Sequence, residues 1–331
     1  MLVHHPALTG AALTAAIDAT ADSRPALIEG LLYERTVLLV SADAGVGKST
    51  LVANVMAQAS LGLPVFNALY CPRPLRCYYI PFERGSEEIR ERLKYLRKAI
   101  PFNADRLHIF NHPDFFPNLY ERMDQDFLLK SIEQDCPEPP DVVFYDPIYQ
   151  AVAGGLCNED RVSIFIRFNV RLMKALGCAT WLVHHTGKPG YTKDGEKFEK
   201  DDPYYGSSFL RNHCTGSYAV KSYEGGTMWT ERKDNLKALL KKLILTYDDE
   251  TYTSHLEDDQ RGLSAEDRLK LVLRRFRHEH KTFTFKQVGG CVMGVSTSRL
   301  RQLFCTPPIS AVLKKVKSLG GATLYEVEGE I

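Results

Sequence analysis

Thr36-Val37-Leu38-Leu39-Val40-Ser41-Ala42-Asp43-Ala44-Gly45-Val46-Gly47-Lys48-Ser49-Thr50 is the stretch on which the fold turns. An apolar run of strand character enters a Gly-rich turn and leaves it as an amphipathic segment reaching residue 61. A strand, a tight turn and a helix in that order aim backbone N–H groups, and the positive end of the helix dipole, at one point. That arrangement suits a polyphosphate. Gly45 and Gly47 let the main chain wrap closely around phosphate oxygens, and the loop through Ala44, Val46 and Thr50 supplies amides. Lys48 reaches the β/γ-phosphates, and the Ser49 hydroxyl can hold Mg²⁺. The usual pattern opens on Gly; Ala42 stands there in this chain.

Outward from this loop, short continuously apolar runs alternate with helical stretches. The runs are 36–40, 77–82, 107–110, 142–145 and 179–183; the helical stretches are 48–61, 86–100, 124–134 and 160–176. This is the signature of an α/β fold with a mostly parallel sheet covered on both faces. Ligands of such sheets bind at the C-terminal ends of the strands. After residue 183 the pattern changes. Residues 188–202 are polar and lack a hydrophobic period, and 216–223, 227–230, 242–247 and 250–255 read as antiparallel strands extending the sheet. The plan is a helical lead-in over 1–34, a core over 35–256, a linker over 257–263 and a small domain over 264–331.

The chain has 331 residues, 44% hydrophobic and 25% charged, as in an ordinary globular protein. No apolar run approaches the roughly 18 residues needed to span a bilayer, and no membrane partner is expected. The amino terminus lacks a basic segment followed by an apolar one, and eight cysteines are scattered without metal-ligand spacing. Cys77, Cys178 and Cys214 lie in apolar runs, where buried reduced thiols are expected, so the expected compartment is the cytoplasm. Net charge is +1, but residues 264–331 hold 12 Lys and Arg against 6 Asp and Glu. A basic module on a mildly acidic body points toward nucleic acid. Helices are expected there at 265–277, 285–292, 296–304 and 309–319, then a strand at 322–327. This reads as a winged-helix-like domain with Arg299 and Arg301 on its recognition helix, able to meet duplex DNA. The competing reading is a helical cap with solvated basic residues.

Val142-Val143-Phe144-Tyr145-Asp146 delivers one carboxylate from a buried strand, as a second Mg²⁺ anchor requires. Pro147 follows, so a water-activating acid must come from elsewhere. Cys77-Tyr78-Tyr79-Ile80-Pro81-Phe82-Glu83 supplies one. With its strand beside the phosphate-loop strand, Glu83 would face the γ-phosphate and orient the attacking water; pairing with Arg84 or capping the next helix is the plainer alternative. Trp181-Leu182-Val183-His184-His185-Thr186 ends the last parallel strand with two imidazoles that point to opposite faces and cannot share a metal. One of them, His185, could sense the γ-phosphate; the alternative is a core histidine bonded to backbone.

Together the segments at 42–50, 80–83 with the helix at 87–96, 142–147 and 184–188 resemble the RecA-like hexameric ATPases of the plasmid and phage replicative helicase type, and related ATPases of mobile elements. Two weaker matches are Gly206-Ser207-Ser208-Phe209-Leu210-Arg211 and Thr230-Glu231-Arg232-Lys233-Asp234-Asn235. The resemblance implies a RecA-like P-loop core that binds ATP and Mg²⁺ between the subunits of a homo-oligomer, a hexamer in that family, with single-stranded DNA in a central channel. It implies channel loops at 151–160 and 188–205, the latter carrying Lys188, Lys193, Lys197 and Lys200; a surface loop that contacts nothing is the alternative. It also implies a basic residue donated by the neighbour. The family pattern Lys-x-Arg-Asn reads Arg232-Lys233-Asp234-Asn235 here, so Arg232 and Lys233 are the candidates, with Arg211 in reserve. A helicase is the first reading, an ATP-dependent DNA-binding regulator that unwinds nothing the second.

Overall fold

The computed structural model describes residues 24–186, 208–256, 264–278 and 282–328, broken at 84, 113–114, 153–154, 238, 293–294, 308 and 320–321, together with residues 7, 9–18, 190–191 and 197–198. After helix α1 (Gly10–Asp18), a short hairpin pairs β1 (Ala26–Ile28) with β2 (Leu32–Tyr33). The alternating part runs β3 (Val37–Ala42), α2 (Lys48–Ala59), β4 (Cys77–Pro81), α3 (Ser86–Leu96), β5 (Leu107–Ile109), α4 (Arg122–Asp135), β6 (Val142–Asp146), α5 (Ile148–Ala151), α6 (Glu159–Leu176) and β7 (Ala179–His185). A small hairpin, β8 (Gly190–Tyr191) with β9 (Lys197–Phe198), precedes α7 (Ser208–His213), β10 (Gly216–Tyr223), β11 (Gly226–Asp234), β12 (Lys242–Tyr247) and β13 (Ser254–Leu256).

One nine-stranded sheet orders these strands β13-β12-β11-β10-β3-β7-β6-β4-β5. From β10 to β5 every pairing is parallel; β10 to β13 are antiparallel. The continuous apolar strands follow from burial on both faces. Leu38, Val40, Val142, Phe144 and Trp181 belong to one core layer, while Val37, Leu39, Val143, Tyr145 and Leu182 belong to the other. Cys77, Cys178 and Cys214 are buried free thiols, and burial pushes Cys178 and Cys214 up to about 12.

Four expectations need correction. Residues 26–33 are not part of a separate lead-in: Leu27, Ile28, Leu31 and Leu32 are buried in the first core layer, and among the described residues of this segment helix is confined to α1. The strand carrying Glu83 does not lie beside the phosphate-loop strand; β7 and β6 stand between β3 and β4. The segment 250–255 is largely a turn, closed by the Asp248 carboxylate accepting from the amides of Glu250 (2.9 Å) and Thr251 (2.8 Å). And 309–319 is not one helix, because a strand at 322–327 needs a partner, which the chain just before it supplies.

That last region contains α8 (Ala265–His278), β14 (Phe283–Thr284), α9 (Phe285–Cys291), α10 (Thr297–Phe304), α11 (Ile309–Val312), β15 (Leu313–Leu319) and β16 (Ala322–Val327), with sheet order β14-β16-β15. It has its own core, around Leu269, Leu273, Phe283, Leu300 and Phe304. α8 also faces the body. Leu271 joins the first core layer, and Arg274 and Arg277 both reach Glu29 in the turn between β1 and β2. Arg274 and Glu29 are buried. Residues 257–263, expected as a linker, lie outside the described residues.

Candidate active site

β3 ends at Ala42, and the chain turns through Gly45 (φ 80°) and Gly47 (φ 88°) before α2 begins at Lys48. These left-handed conformations are what favour glycine at the two positions. Ala42 is a paired strand residue outside that region, which is why alanine serves where the usual pattern has glycine. No side chain caps α2, so the amides of its first turn remain for a ligand, on the positive end of the helix.

Ala44, Gly45, Gly47, Lys48, Ser49 and Thr50 line a cavity of about 320 Å³ together with Glu83, Asp146 and His185. Val46 lies just outside, on an adjoining cavity of about 790 Å³ that shares Gly45, Gly47, Thr50, Glu88 and Arg92 with the first. Lys48 Nζ donates to the carbonyls of Ala42 (3.0 Å) and Asp43 (2.8 Å) and lies 3.3 Å from His185 Nδ1. Burial lowers its pKa against the opposing pull of Asp146, Asp43 and Glu83. An ammonium only donates, so Nδ1 of His185 accepts and the ring proton sits on Nε2. That Nε2 is 4.0 Å from Glu83 Oε2. Burial, then Lys48, holds the imidazole pKa below its ordinary value, in keeping with a neutral ring. Thr186 fixes the end of β7 by donating its amide to Ala42 O (3.2 Å) and its hydroxyl to Asp43 Oδ1.

Asp146, at the end of β6, is buried. Its Oδ2 accepts from the Tyr79 hydroxyl at 2.7 Å, and Ser49 lines the same cavity. Burial raises its pKa, opposed by Ser49, Tyr79, Arg92 and Lys48. One carboxylate and one hydroxyl beside a phosphate-sized cavity fit Mg²⁺, which is held by one or two protein oxygens and keeps the rest of its octahedron for water and phosphate. Among the described residues there is no group of three or more His, Cys, Asp or Glu that would suit another metal.

Glu83 arrives by a different route from the one expected. Beyond β4, Phe82 N still donates to Asp146 O (2.8 Å), and the following residues bring Glu83 over the ends of β6 and β7 to the shared cavity. Arg84, its alternative partner, lies outside the described residues. Arg232 and Lys233 are not brought to this cavity. They lie on β11, where Lys233 is opposite Ser217 of β10. Lys233 Nζ donates to the carbonyls of Arg211 (3.0 Å) and Asn212 (2.7 Å), capping α7, while Arg232 is exposed. Asp234 accepts from the amides of Leu236 (3.0 Å) and Leu239 (2.9 Å), so its carboxylate shapes the turn after β11. Of the expected channel loops, Val152 and Leu156 in the first are packed into the second core layer; Lys188, Lys193 and Lys200 lie outside the described residues. Sequence reasoning missed Tyr79 and Arg92. The signal for Tyr79 was present, since residues 79, 81 and 83 share one face by strand alternation.

The profile of the AAA domain family matches residues 4–191, more than half of the chain. The chain belongs to the AAA domain family. Three solved structures resemble this AAA domain protein. A KaiC-like protein from the hyperthermophilic archaeon Pyrococcus horikoshii OT3 is 13% identical, with 70% of this chain and 93% of that one covered and a TM-score of 0.46. A RadB recombinase is 12% identical, with 67% and 90% covered and a TM-score of 0.45. A DnaB-like replicative helicase, solved with its interactions with primase, is 10% identical, with 73% and 66% covered and a TM-score of 0.50. No curated protein matches in sequence. The AAA domain here therefore has a RecA-like α/β fold. Among the described residues, no helix is long and apolar enough to cross a membrane.

Proposed function

We propose that the protein is an oligomeric Mg²⁺-dependent ATPase of hexameric RecA-like type that couples ATP hydrolysis to binding and movement on DNA, as a replicative helicase of a mobile or phage-like element. One observation carries the reading. Lys48 and Ser49 of α2, Asp146 of β6, His185 of β7 and Glu83 beyond β4 converge on one cavity at the C-terminal ends of parallel strands.

In this reading the loop amides and Lys48 bind the β- and γ-phosphates. Ser49 and Asp146 hold Mg²⁺, whose charge offsets that of the phosphate oxygens. Glu83 orients the attacking water. His185, between Lys48 and Glu83, is placed to register the γ-phosphate and to pass its presence to the loop after β7. A neighbour's Arg232 or Lys233 completes the site; Arg232 has the freer side chain. Single-stranded DNA runs along the loops that follow β6 and β7. The working compartment is the cytoplasm.

The second reading, an ATP-dependent DNA-binding regulator, draws on the C-terminal region. Its order of helix, strand, three helices and hairpin supports a winged-helix-like reading, and Arg299 and Arg301 are exposed on α10 while Leu300, Leu303 and Phe304 turn inward.

ATPase rates with and without single-stranded DNA test the proposal on wild type, Lys48→Ala and Glu83→Gln. Lys48→Ala should lose nucleotide binding, and Glu83→Gln should bind ATP but turn over about 10²–10⁴-fold more slowly. Near-normal hydrolysis by Glu83→Gln removes that residue from the mechanism. Strand displacement separates helicase from regulator.

A further inference from the structure

We propose that Tyr79 is a positioning residue that makes the Asp146 carboxylate selective for Mg²⁺ over Ca²⁺. The inference rests on the reading above, in which Ser49 and Asp146 hold the metal of a bound metal–ATP complex.

β4 and β6 are parallel neighbours with Tyr79 opposite Phe144 and Pro81 opposite Asp146, so the Tyr79 ring lies one pleat below the carboxylate and its hydroxyl reaches it diagonally. Both groups are buried, at 4% exposure each. A buried carboxylate is stable in its charged form only when hydrogen-bonded, and here Tyr79 donates to Oδ2 at 2.7 Å. A phenol carries its proton at neutral pH and a carboxylate only accepts, so the hydroxyl is the donor. Two consequences follow. The carboxylate cannot rotate about its own axis without breaking a buried bond, and one lone pair of Oδ2 is already used, which makes that oxygen the poorer donor to a metal.

Metal preference follows from the oxygen that remains. Mg²⁺ takes six ligands at close range and accepts one oxygen from a carboxylate, with water filling other positions. Ca²⁺ takes six to eight oxygens and readily uses both oxygens of a carboxylate. A carboxylate with fixed orientation and one engaged oxygen serves the first ion and short-changes the second. Phenylalanine at 79 would keep the ring and release Oδ2.

The experiment titrates a fluorescent ATP analogue into wild type and Tyr79→Phe with Mg²⁺ and, separately, Ca²⁺, and reads the ratio of the two dissociation constants. Wild type should favour Mg²⁺, and Tyr79→Phe should shrink that preference about tenfold, the worth of one hydrogen bond to a charged group. Thermal melting without metal or nucleotide monitors folding. Should Tyr79→Phe fail to fold, 3-fluorotyrosine at the same position, a stronger donor of nearly the same shape, should widen the preference. An unchanged ratio in whichever protein folds overturns the inference. Ser49→Ala and Asp146→Asn keep the two levels apart. If neither alters metal-dependent binding, the metal assignment itself fails; if they do and the residue 79 variants do not, only the role of Tyr79 falls.

Discussion

Replacing Glu29 tests how firmly the C-terminal region is fastened to the body. Glu29 sits in the turn between β1 and β2 with its side chain 3% exposed, facing Arg274 at 1% and Arg277 at 28%. Glu29→Gln keeps the volume and removes the charge, leaving Arg274 buried against a neutral amide. Breaking a buried pair in this way costs about 3–5 kcal/mol, most of it the uncompensated charge left behind. Arg277 is partly solvated, and Arg274 Nε is as far as 4.0 Å from Glu29 Oε2, so the lower end, about 3 kcal/mol, is expected. Urea unfolding followed by circular dichroism, with limited proteolysis near residues 257–263, reads the loss. A compensating pair of changes, Glu29→Leu with Arg274→Met, should recover most of it, because an apolar pair of similar volume carries no desolvation cost. A loss below about 1 kcal/mol for Glu29→Gln would refute the reasoning and mark the cluster as solvated.

Three further outcomes are expected. The folded state disfavours protonated His185, so its contribution to stability is constant above the ordinary value of 6.5 and declines as pH falls below it toward the lowered folded-state pKa. Wild type should therefore lose stability relative to His185→Gln in acid and run parallel to it above neutrality, in thermal melts across pH. Lys233→Ala should destabilise the protein by about 1 kcal/mol through the uncapped carbonyls of α7, whereas Arg232→Ala should leave the melting temperature alone and depress ATPase only in the assembled oligomer. Arg299→Ala with Arg301→Ala should weaken duplex binding and flatten its salt dependence, as measured by fluorescence anisotropy over a salt series.

The parallel core was legible because its strands are buried on both faces and leave apolar runs in the chain, and the phosphate loop because its glycines and Lys48 are local in sequence. Neighbour order was not. A strand's pattern records that both sides are covered, not by which strand, so β4 was set beside β3 although β7 and β6 intervene. Glu83 nevertheless reaches the cavity, since the strand ends converge where the loops bend over them. Contacts between distant segments were equally silent. Nothing near Lys233 announces that the carbonyls of Arg211 and Asn212 will receive it, and Asp234 read as a missing arginine when its carboxylate holds a turn. In the C-terminal region, Leu313-Lys314-Lys315-Val316-Lys317 reads nearly as well as helix as it does as strand. Only pairing with β16 decides it.

β11 begins at Gly226 and Thr227, on the wall of the larger cavity beside the phosphate loop, and carries Arg232 and Lys233 near its other end. From Thr227 to Lys233 is about 20 Å of extended chain, clamped between β10 and β12 over most of that length. The register shifts at Arg232, an extra residue between the partners of Ser217 and Tyr218, so the bend of that bulge, and not the length of the strand alone, sets where the two cations stand relative to the pocket.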